Sequence, residues 1–391
     1  MKKGWRIKRL ADVLELQNGY AFDSKGFNPA DGLPLIRIRS LKAGVETETR
    51  FNGDYDQKYV VKAGDLLIGM DGEFGCYDWK GEPALLNQRV CRLQGFTGEL
   101  IPRFLFYGVN DYLKAIEDVT GYTTVKHISS KQILEIEFPV PPLAEQQRIV
   151  GLLDEAFEGL ATAKANAEKN LQNARALFES HLNSVFTKRG EGWQTKTLGE
   201  LCAIELGRTP ARANASFWDE TRETSNVWLS IADLLKAEDN VVVDSKEYVS
   251  DKGAAICKLV PKGTLLVSFK LTLGRLAFAG RDLFTNEAIA ALTIFSAREL
   301  SKEFLFYCLT FFDWVKAAEN DVKLKGMTLN KAKLKVMPVS FPPLAEQQRI
   351  VGLLDALSEE TQRLARLYVR KHAALEALKK SLLHQAFTGE L

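Results

Sequence analysis

The sequence predicts an α+β protein with a pseudo-twofold internal repeat: two mixed α/β units joined and separated by two long antiparallel coiled-coil helices. Three observations lead there. The stretch PPLAEQQRIVGLLD occurs at residues 141–154 and again, unchanged, at residues 342–355. Each copy opens an apolar-periodic run of more than thirty residues. Each also follows a segment in which short β-type runs alternate with turn residues. Fourteen identical residues in a chain of 391 do not recur by chance, so the chain carries a long duplication.

The duplication extends on both sides. LFESHLNSVFT at 177–187 answers LKKSLLHQAFT at 378–388, 201 residues apart, as are the two Pro-Pro starts. FLFY at 104–107 answers FLFY at 304–307, GDLL at 64–67 answers GTLL at 263–266, and Asn87 answers Asn286. GWRIKRLADVLELQNG at 4–19 answers GWQTKTLGELCAIELG at 192–207, only 188 residues apart. The spacing drifts inside the globular segments and is constant through the helical ones. Helix length is therefore constrained, whereas loop length is not.

The expected segments are 1–140 (first globular unit), 141–188 (first long helix), 189–341 (second globular unit) and 342–391 (second long helix). In the first unit PLIRIRSL (34–41), YVV (59–61), DLLIGM (65–70) and RVCRL (89–93) read as strands between turn signals such as Asn18-Gly19 and Asp71-Gly72. A helix is expected over 102–116, burying Phe104, Leu105, Tyr107 and Leu113. In the second unit VWLSIADL, NVVVDSKEYV, TLLVSF and AIAALTIF read as strands, with loops unlike those of the first. Pro-Pro stops what precedes it and suits the first turn of a helix. The first long helix should bury Ile149, Leu152, Ala156, Leu160, Ala163, Ala167, Ala174, Leu177 and His181, with Leu153 and Phe178 widening the stripe. Its repeat should bury Ile350, Leu353, Leu357, Leu364, Tyr368, Leu375, Leu378 and Leu382. Helices of about 45 residues would span ~68 Å, too long to lie on one small domain, so pairing with each other is expected.

Hydrophobic residues make up 46% and charged residues 26% of the chain, as in an ordinary globular protein. The net charge of +2 falls short of a wholly basic nucleic-acid binder, so any such charge must be local or come from a partner. No apolar run is long enough for a membrane span, and the N-terminal stretch lacks a secretory h-region. Five scattered cysteines, never spaced CxxC, fit a reduced cytoplasm and indicate neither a disulfide frame nor a zinc site. Phosphate-loop, dinucleotide, nucleophile-elbow and zinc-protease motifs are all missing, so no catalytic residue, metal ligand or cofactor is assigned to the chain. The Pro-Pro pairs lack the preceding Asn or Asp and the following aromatic of amino-methyltransferases.

Two loops just before the Pro-Pro pairs combine basic and hydroxyl side chains. The second holds Lys323, Lys325 and Asn330; the first holds Thr123, Thr124 and Lys126. Lysines there would hold phosphates, and Thr or Asn would read base edges. The alternative is a solvated surface, with Ser129 or Asn330 capping a short helix. Arg37 and Arg39 alternate in an expected strand and would share one face, for solvent or for guanine. DGEFG (71–75) answers KLTLG (270–274), adding Lys270 and Arg275 as candidate contacts. Asn87-Gln88 and Asn286-Glu287 would either reach bases or buttress their own turns.

The doubled PPLAEQQRIVGLLD, the motifs PLIRIRSL and VWLSIADL, and the GDLL and NQRV segments resemble the specificity subunits of type I restriction–modification systems, over the whole length. The resemblance implies two target-recognition domains (1–140 and 189–341), each reading half of a bipartite DNA site through the major groove. It implies conserved helices at 141–188 and 342–391 that set the unread gap, with half-sites roughly one to two turns apart. Unlike loops imply an asymmetric target. The implied partners are double-stranded DNA, two adenine methyltransferase subunits and restriction/translocase subunits; S-adenosylmethionine, ATP and Mg would reside on those subunits, leaving this chain non-catalytic. Glu145, Gln146, Arg148, Ile149 and Leu152, with Glu346, Gln347, Arg349, Ile350 and Leu353, are the candidates for helix pairing or partner docking. The competing expectation is a coiled-coil scaffold or regulatory protein without sequence-specific DNA binding.

Overall fold

The computed structural model describes residues 4–43, 49–120, 126–318, 322–323 and 326–391. The chain forms two compact units, Met1–Glu168 with Val369–Leu391, and Lys169–Tyr368. The long helices α1 (Leu143–Thr187) and α2 (Leu344–Thr388) each contribute one half to each unit. Each helix half is grouped with the core it covers.

In the first unit Arg6–Arg9 pairs antiparallel with Glu137–Val140, tying the start of the domain to the strand that leads into α1. Beside it lies an antiparallel sheet in the order Glu15–Asn18, Val90–Gln94, Leu66–Gly69, Gly75–Asp78. A mixed sheet pairs Leu33–Ile36 parallel with Ala84–Leu86. Leu66, Leu67 and Ile68 are all buried, as an unbroken apolar run requires when both sheet faces are covered. Pro102 starts the helix Pro102–Val119, whose Phe104, Leu105, Val109 and Leu113 reach the core.

The second unit repeats this frame. Gln194–Thr197 pairs with Pro338–Phe341, and Cys202–Leu206, Ile289–Ile294 and Leu265–Ser268 lie side by side in a five-stranded sheet. Gly19 and Gly207 occupy the same crossing. A Cβ on Gly19 would sit 2.0 Å from the Asn87 carbonyl oxygen, and one on Gly207 2.2 Å from that of Thr285. Only glycine fits either position.

Within the first unit the two helix halves run antiparallel. Lys164 pairs with Glu376 at 3.0 Å, Lys379 lies over the Phe157 ring, and Arg148 donates to the Leu391 carbonyl at 2.8 Å. Phe387 packs on Phe104 and Phe138. In the second unit Leu182, Phe186, Ile350 and Leu354 share one core. The expected stripe needs one correction: Leu152 and Leu353 are each 43% exposed, and Leu177 and Leu378 are exposed as well. Leu153 and Leu354 are buried in their place, because the seam takes the i+4 step from Ile149 and Ile350.

The repeated motif holds each helix to its domain through a glutamine with no exposed surface. Gln146 accepts from the Ile101 backbone N–H at 2.8 Å and donates to the carbonyls of Glu99 (2.7 Å) and Pro141 (2.8 Å). Gln347 accepts from the Ser301 N–H at 2.9 Å and donates to Glu299 (2.7 Å) and Pro342 (2.9 Å). Further along, Tyr107 donates to Asp154 and Tyr307 to Asp355. Arg103 bridges Asp154 and Asp78 at 3.0 Å each. Burial pushes the Asp154 carboxyl upward, but Tyr107 and Arg103 outweigh it and hold the group below its ordinary 3.8.

Gln146→Leu is expected to lower stability by about 2–4 kcal/mol, because it leaves two carbonyls and an N–H buried without partners. Gln147→Leu, one residue along on the exposed side, should stay within about 0.5 kcal/mol. Urea titration checks both, and equal midpoints for Gln146→Leu and wild type would refute the assignment. Because Asp154 is depressed in the fold, its contribution is complete above the unfolded value near 3.8 and disappears as pH falls below it. Asp154→Asn should therefore flatten the acid limb of a stability–pH profile while lowering the neutral plateau. A plateau and limb matching wild type would contradict this.

Candidate nucleic-acid interface

In the first unit an open cleft of about 750 Å³ is lined by Phe27, Arg37, Arg39, Asn87, Gln88 and Arg89, among others. The strand expected over 34–41 ends at Ile36, and the chain turns into the short helix Ile38–Ala43. Ser40 causes the turn: its hydroxyl accepts from the Arg37 N–H at 3.3 Å, and its own N–H donates to the Arg37 carbonyl at 2.9 Å. Arg37 and Arg39 are therefore not alternate residues of a strand. They nonetheless meet in one cleft, where the Arg37 guanidinium lies 5.2 Å from the Phe27 ring centre.

The turn Asn87–Arg89 also lines the cleft. Asn87 is buried, Gln88 and Arg89 are exposed, and Arg89 has a φ of 73°. A bulky side chain in the left-handed region is uncommon and is found most often where a site needs it. Asp71 lies 3.5 Å from the Arg89 guanidinium and 2.6 Å from the Nδ1 of His127. Sequence reasoning missed Arg89. The available signal was its place next to Gln88 in a turn between two buried strands.

The second unit uses the same turn, and Asn286 accepts from the Ala288 N–H at 3.0 Å, the buttressing role foreseen for it. Glu287 is exposed at the tip and accepts from the Thr209 hydroxyl. Burial raises the Glu287 carboxyl, but Thr209, its own backbone N–H and the charges of Lys270 and Arg212 together hold it below its ordinary value. Lys270, in the short strand Lys270–Leu271, places its ammonium 5.3 Å from the Phe269 ring centre. Arg275 is exposed, its backbone N–H held by Ser268 at 2.9 Å.

The loops before the Pro-Pro pairs are less uniform. Thr123, Thr124 and Lys325 lie outside the described residues, and Lys323 falls in the strand Val322–Lys323. Lys126 donates to the Glu117 carbonyl at 2.7 Å, at the end of a helix. Both capping alternatives are present: Ser129 forms a capping box with Gln132, and Asn330 accepts from the Lys333 N–H at 2.9 Å. On the long helices Gln146, Gln347, Ile149 and Ile350 are buried. Glu145 pairs with Arg148, and Glu346 with Arg349, each at 2.7 Å on the outer side. Among the described residues no group of His, Cys, Asp and Glu is arranged to hold a metal, and no helix is long and apolar enough to cross a membrane.

Two similar units each display a different set of polar side chains around a common turn, the layout of a protein built from a duplicated domain. The family model for the type I restriction modification DNA specificity domain matches twice, at residues 2–171 and 190–368. The chain belongs to that family. It is 29% identical to the EcoBI specificity subunit of Escherichia coli, over 99% of this chain and 86% of the relative. Its fold matches a chain from a solved type I restriction–modification system with a TM-score of 0.76 at 22% identity, covering 100% and 99% of the two chains. It matches the HsdS subunit of Thermoanaerobacter tengcongensis with a TM-score of 0.59 at 20% identity, covering 100% and 98%.

Asn330→Ala should lose about 1 kcal/mol of stability through the missing cap, and Asn330→Ser should restore it. Neither should alter base preference in a DNA-binding selection. A changed preference with unchanged stability would place Asn330 among the reading residues instead.

Proposed function

We propose that this chain reads a bipartite, asymmetric duplex target, one half with each unit, and that the helix pair sets the gap between the halves. The observation that carries the reading is the contrast in spacing. The duplication holds a constant 201-residue offset through both long helices while the globular segments drift. A rigid reader of two half-sites needs fixed separation and is free to vary in what each half recognises. Arg37 and Arg39 in the first unit, and Lys270 and Arg275 in the second, are the base or phosphate contacts; Lys126, Lys323 and Lys325 hold phosphates, and Thr123 and Thr124 read base edges.

The chain acts as a non-catalytic cytoplasmic subunit in this reading. Adenine methylation and ATP-dependent cleavage reside on methyltransferase and restriction/translocase partners, which carry S-adenosylmethionine, ATP and Mg. Two methyltransferase copies are expected for a physical reason. Burial accounts for the identity of Gln146, Ile149 and Leu153 with Gln347, Ile350 and Leu354, since each set anchors a domain core. It does not account for Gln147, Arg148, Gly151 and Leu152, which are exposed and equally identical to Gln348, Arg349, Gly352 and Leu353. Repetition of an outward surface supports docking of the same partner twice. Adenine would be flipped from the stack by that partner.

Inserting seven residues at equivalent places in both long helices should widen the unread gap by about three base pairs, from 1.5 Å per helical residue and 3.4 Å per base step, leaving both half-sites intact. Replacing residues 189–341 by another recognition domain should change one half-site only. Mapping of methylated adenines in a host carrying each variant reads both outcomes. An unchanged gap sinks the ruler, and two altered half-sites sink the division of labour.

A further inference from the structure

The two reading turns hang on one scaffold of backbone hydrogen bonds, which makes their side chains directly comparable. Gly19 and Gly207 donate to the carbonyls of Val90 and Ile289 at 2.9 and 3.2 Å. Tyr20 and Arg208 donate to Leu86 and Thr285 at 2.9 and 2.8 Å. Met70 and Phe269 donate to Arg89 and Ala288 at 2.9 and 3.0 Å, and Ile128 and Leu329 donate to Met70 and Phe269 at 2.9 Å each. Position by position, therefore, Asp71 corresponds to Lys270, Gln88 to Glu287 and Arg89 to Ala288. Arg37 and Arg39 correspond to Ser230 and Ala232, each pair at the end of the matching strand.

The polarity of the site is inverted between the units. In the first, the turn carries the neutral Gln88 and the donor Arg89, with the carboxylate of Asp71 beside Arg89 and with Arg37 and Arg39 lining the same cleft. In the second, the carboxylate of Glu287 stands where the first has Gln88, with the positive charges of Lys270 and Arg212 acting on it, and Ser230, Ala232 and Ala288 stand at the places of Arg37, Arg39 and Arg89. An ionised carboxylate only accepts hydrogen bonds. Turned toward a polyanion it is unfavourable unless a donor meets it, and in the major groove the donors are the exocyclic amines of cytosine and adenine. Guanidinium groups instead match the O6 and N7 acceptors of guanine.

We infer that Glu287 is a specificity-determining residue that reads a base amino group in the half-site of the second unit, whereas Arg37, Arg39 and Arg89 read guanine in the half-site of the first. The inference rests on the proposed two-half reading of DNA and deepens it by assigning a base chemistry to each half. Glu287 also explains its surroundings: the Thr209 hydroxyl donates to its carboxylate and holds it in place at the turn. Against burial, Thr209, the residue's own backbone N–H and then the charges of Lys270 and Arg212 hold the carboxyl below its ordinary value.

The test uses the full chain with its methyltransferase partner and duplexes randomised in both half-sites. Domain exchange assigns each half-site to its unit. Wild type should prefer cytosine or adenine at one strand position of the second half-site, and Glu287→Ala should erase that preference by about five- to 150-fold while leaving the first half-site unchanged. Arg89→Ala should relax a guanine in the first half-site and nothing in the second. Base analogues probe the unaltered protein. Deleting the amino group, with pyrimidin-2-one for cytosine or purine for adenine, should weaken wild type at that position and leave Glu287→Ala indifferent; whichever analogue acts identifies the base. Glu287→Gln, which keeps the side-chain length, should move the preference toward adenine. Loss of binding by Glu287→Ala with base preferences intact would make Glu287 a loop-holding residue and overturn the inference. So would indifference of wild type to both analogues. A complex with no sequence preference anywhere would instead overturn the DNA-reading proposal beneath it.

Discussion

A single buried amide does more than any other group to define this molecule. Gln146 and Gln347 each stitch the first turn of a long helix to the loop that opens the domain's own helix through two hydrogen bonds, and each makes a third to the Pro-Pro before the long helix. No apolar residue could do this, because the partners are backbone groups that would otherwise be buried without bonds. The amide thereby sets the direction in which each helix leaves its domain. Pro-Pro supplies the stop before it, and Ile149 and Leu153, or Ile350 and Leu354, supply the packing after it. The fourteen-residue repeat thus contains a joint, and the identity of its buried members within the chain reflects a geometry that is made twice.

Around that joint the two domains share a backbone and differ in presentation. The same crossing glycines and the same turn hydrogen bonds recur, so the platform beneath the two turns is equal in both. What varies is loop length and the side chains that project from turns and short helices, where change does not disturb the core. Such a division lets one half change its preference without retuning the other. It also keeps charge local. The overall balance of +2 conceals an arginine-lined cleft in the first unit and a carboxylate-tipped turn in the second.

Much of this was readable from the chain and some was not. The duplication, the helices and the existence of two mixed units follow from repeat spacing and apolar period, which survive any choice of loop. The seam residue did not follow: Leu152 and Leu153 are both apolar and both within reach of the stripe, and only packing against the domain selects Leu153. Arg37 and Arg39 looked like strand neighbours because apolar and polar residues alternate through 34–41. Local bonding by Ser40 ends the strand early and brings the two arginines together by a different route. Arg89 was not singled out at all, since an arginine after Asn-Gln carries no period and its left-handed backbone leaves no trace in composition.

The sequence by itself determined the family, the twofold repeat, the matched helix lengths and the two-unit plan, because each is written in identity or periodicity along the chain. Tertiary structure alone decided which polar residues share a surface. Asp71, Arg89 and His127 are far apart in sequence and meet only where strand pairing closes the site, and Thr209 reaches Glu287 across the same kind of turn. The reason is physical: a periodic apolar pattern specifies burial locally, whereas the convergence of hydrophilic side chains depends on how distant strands register.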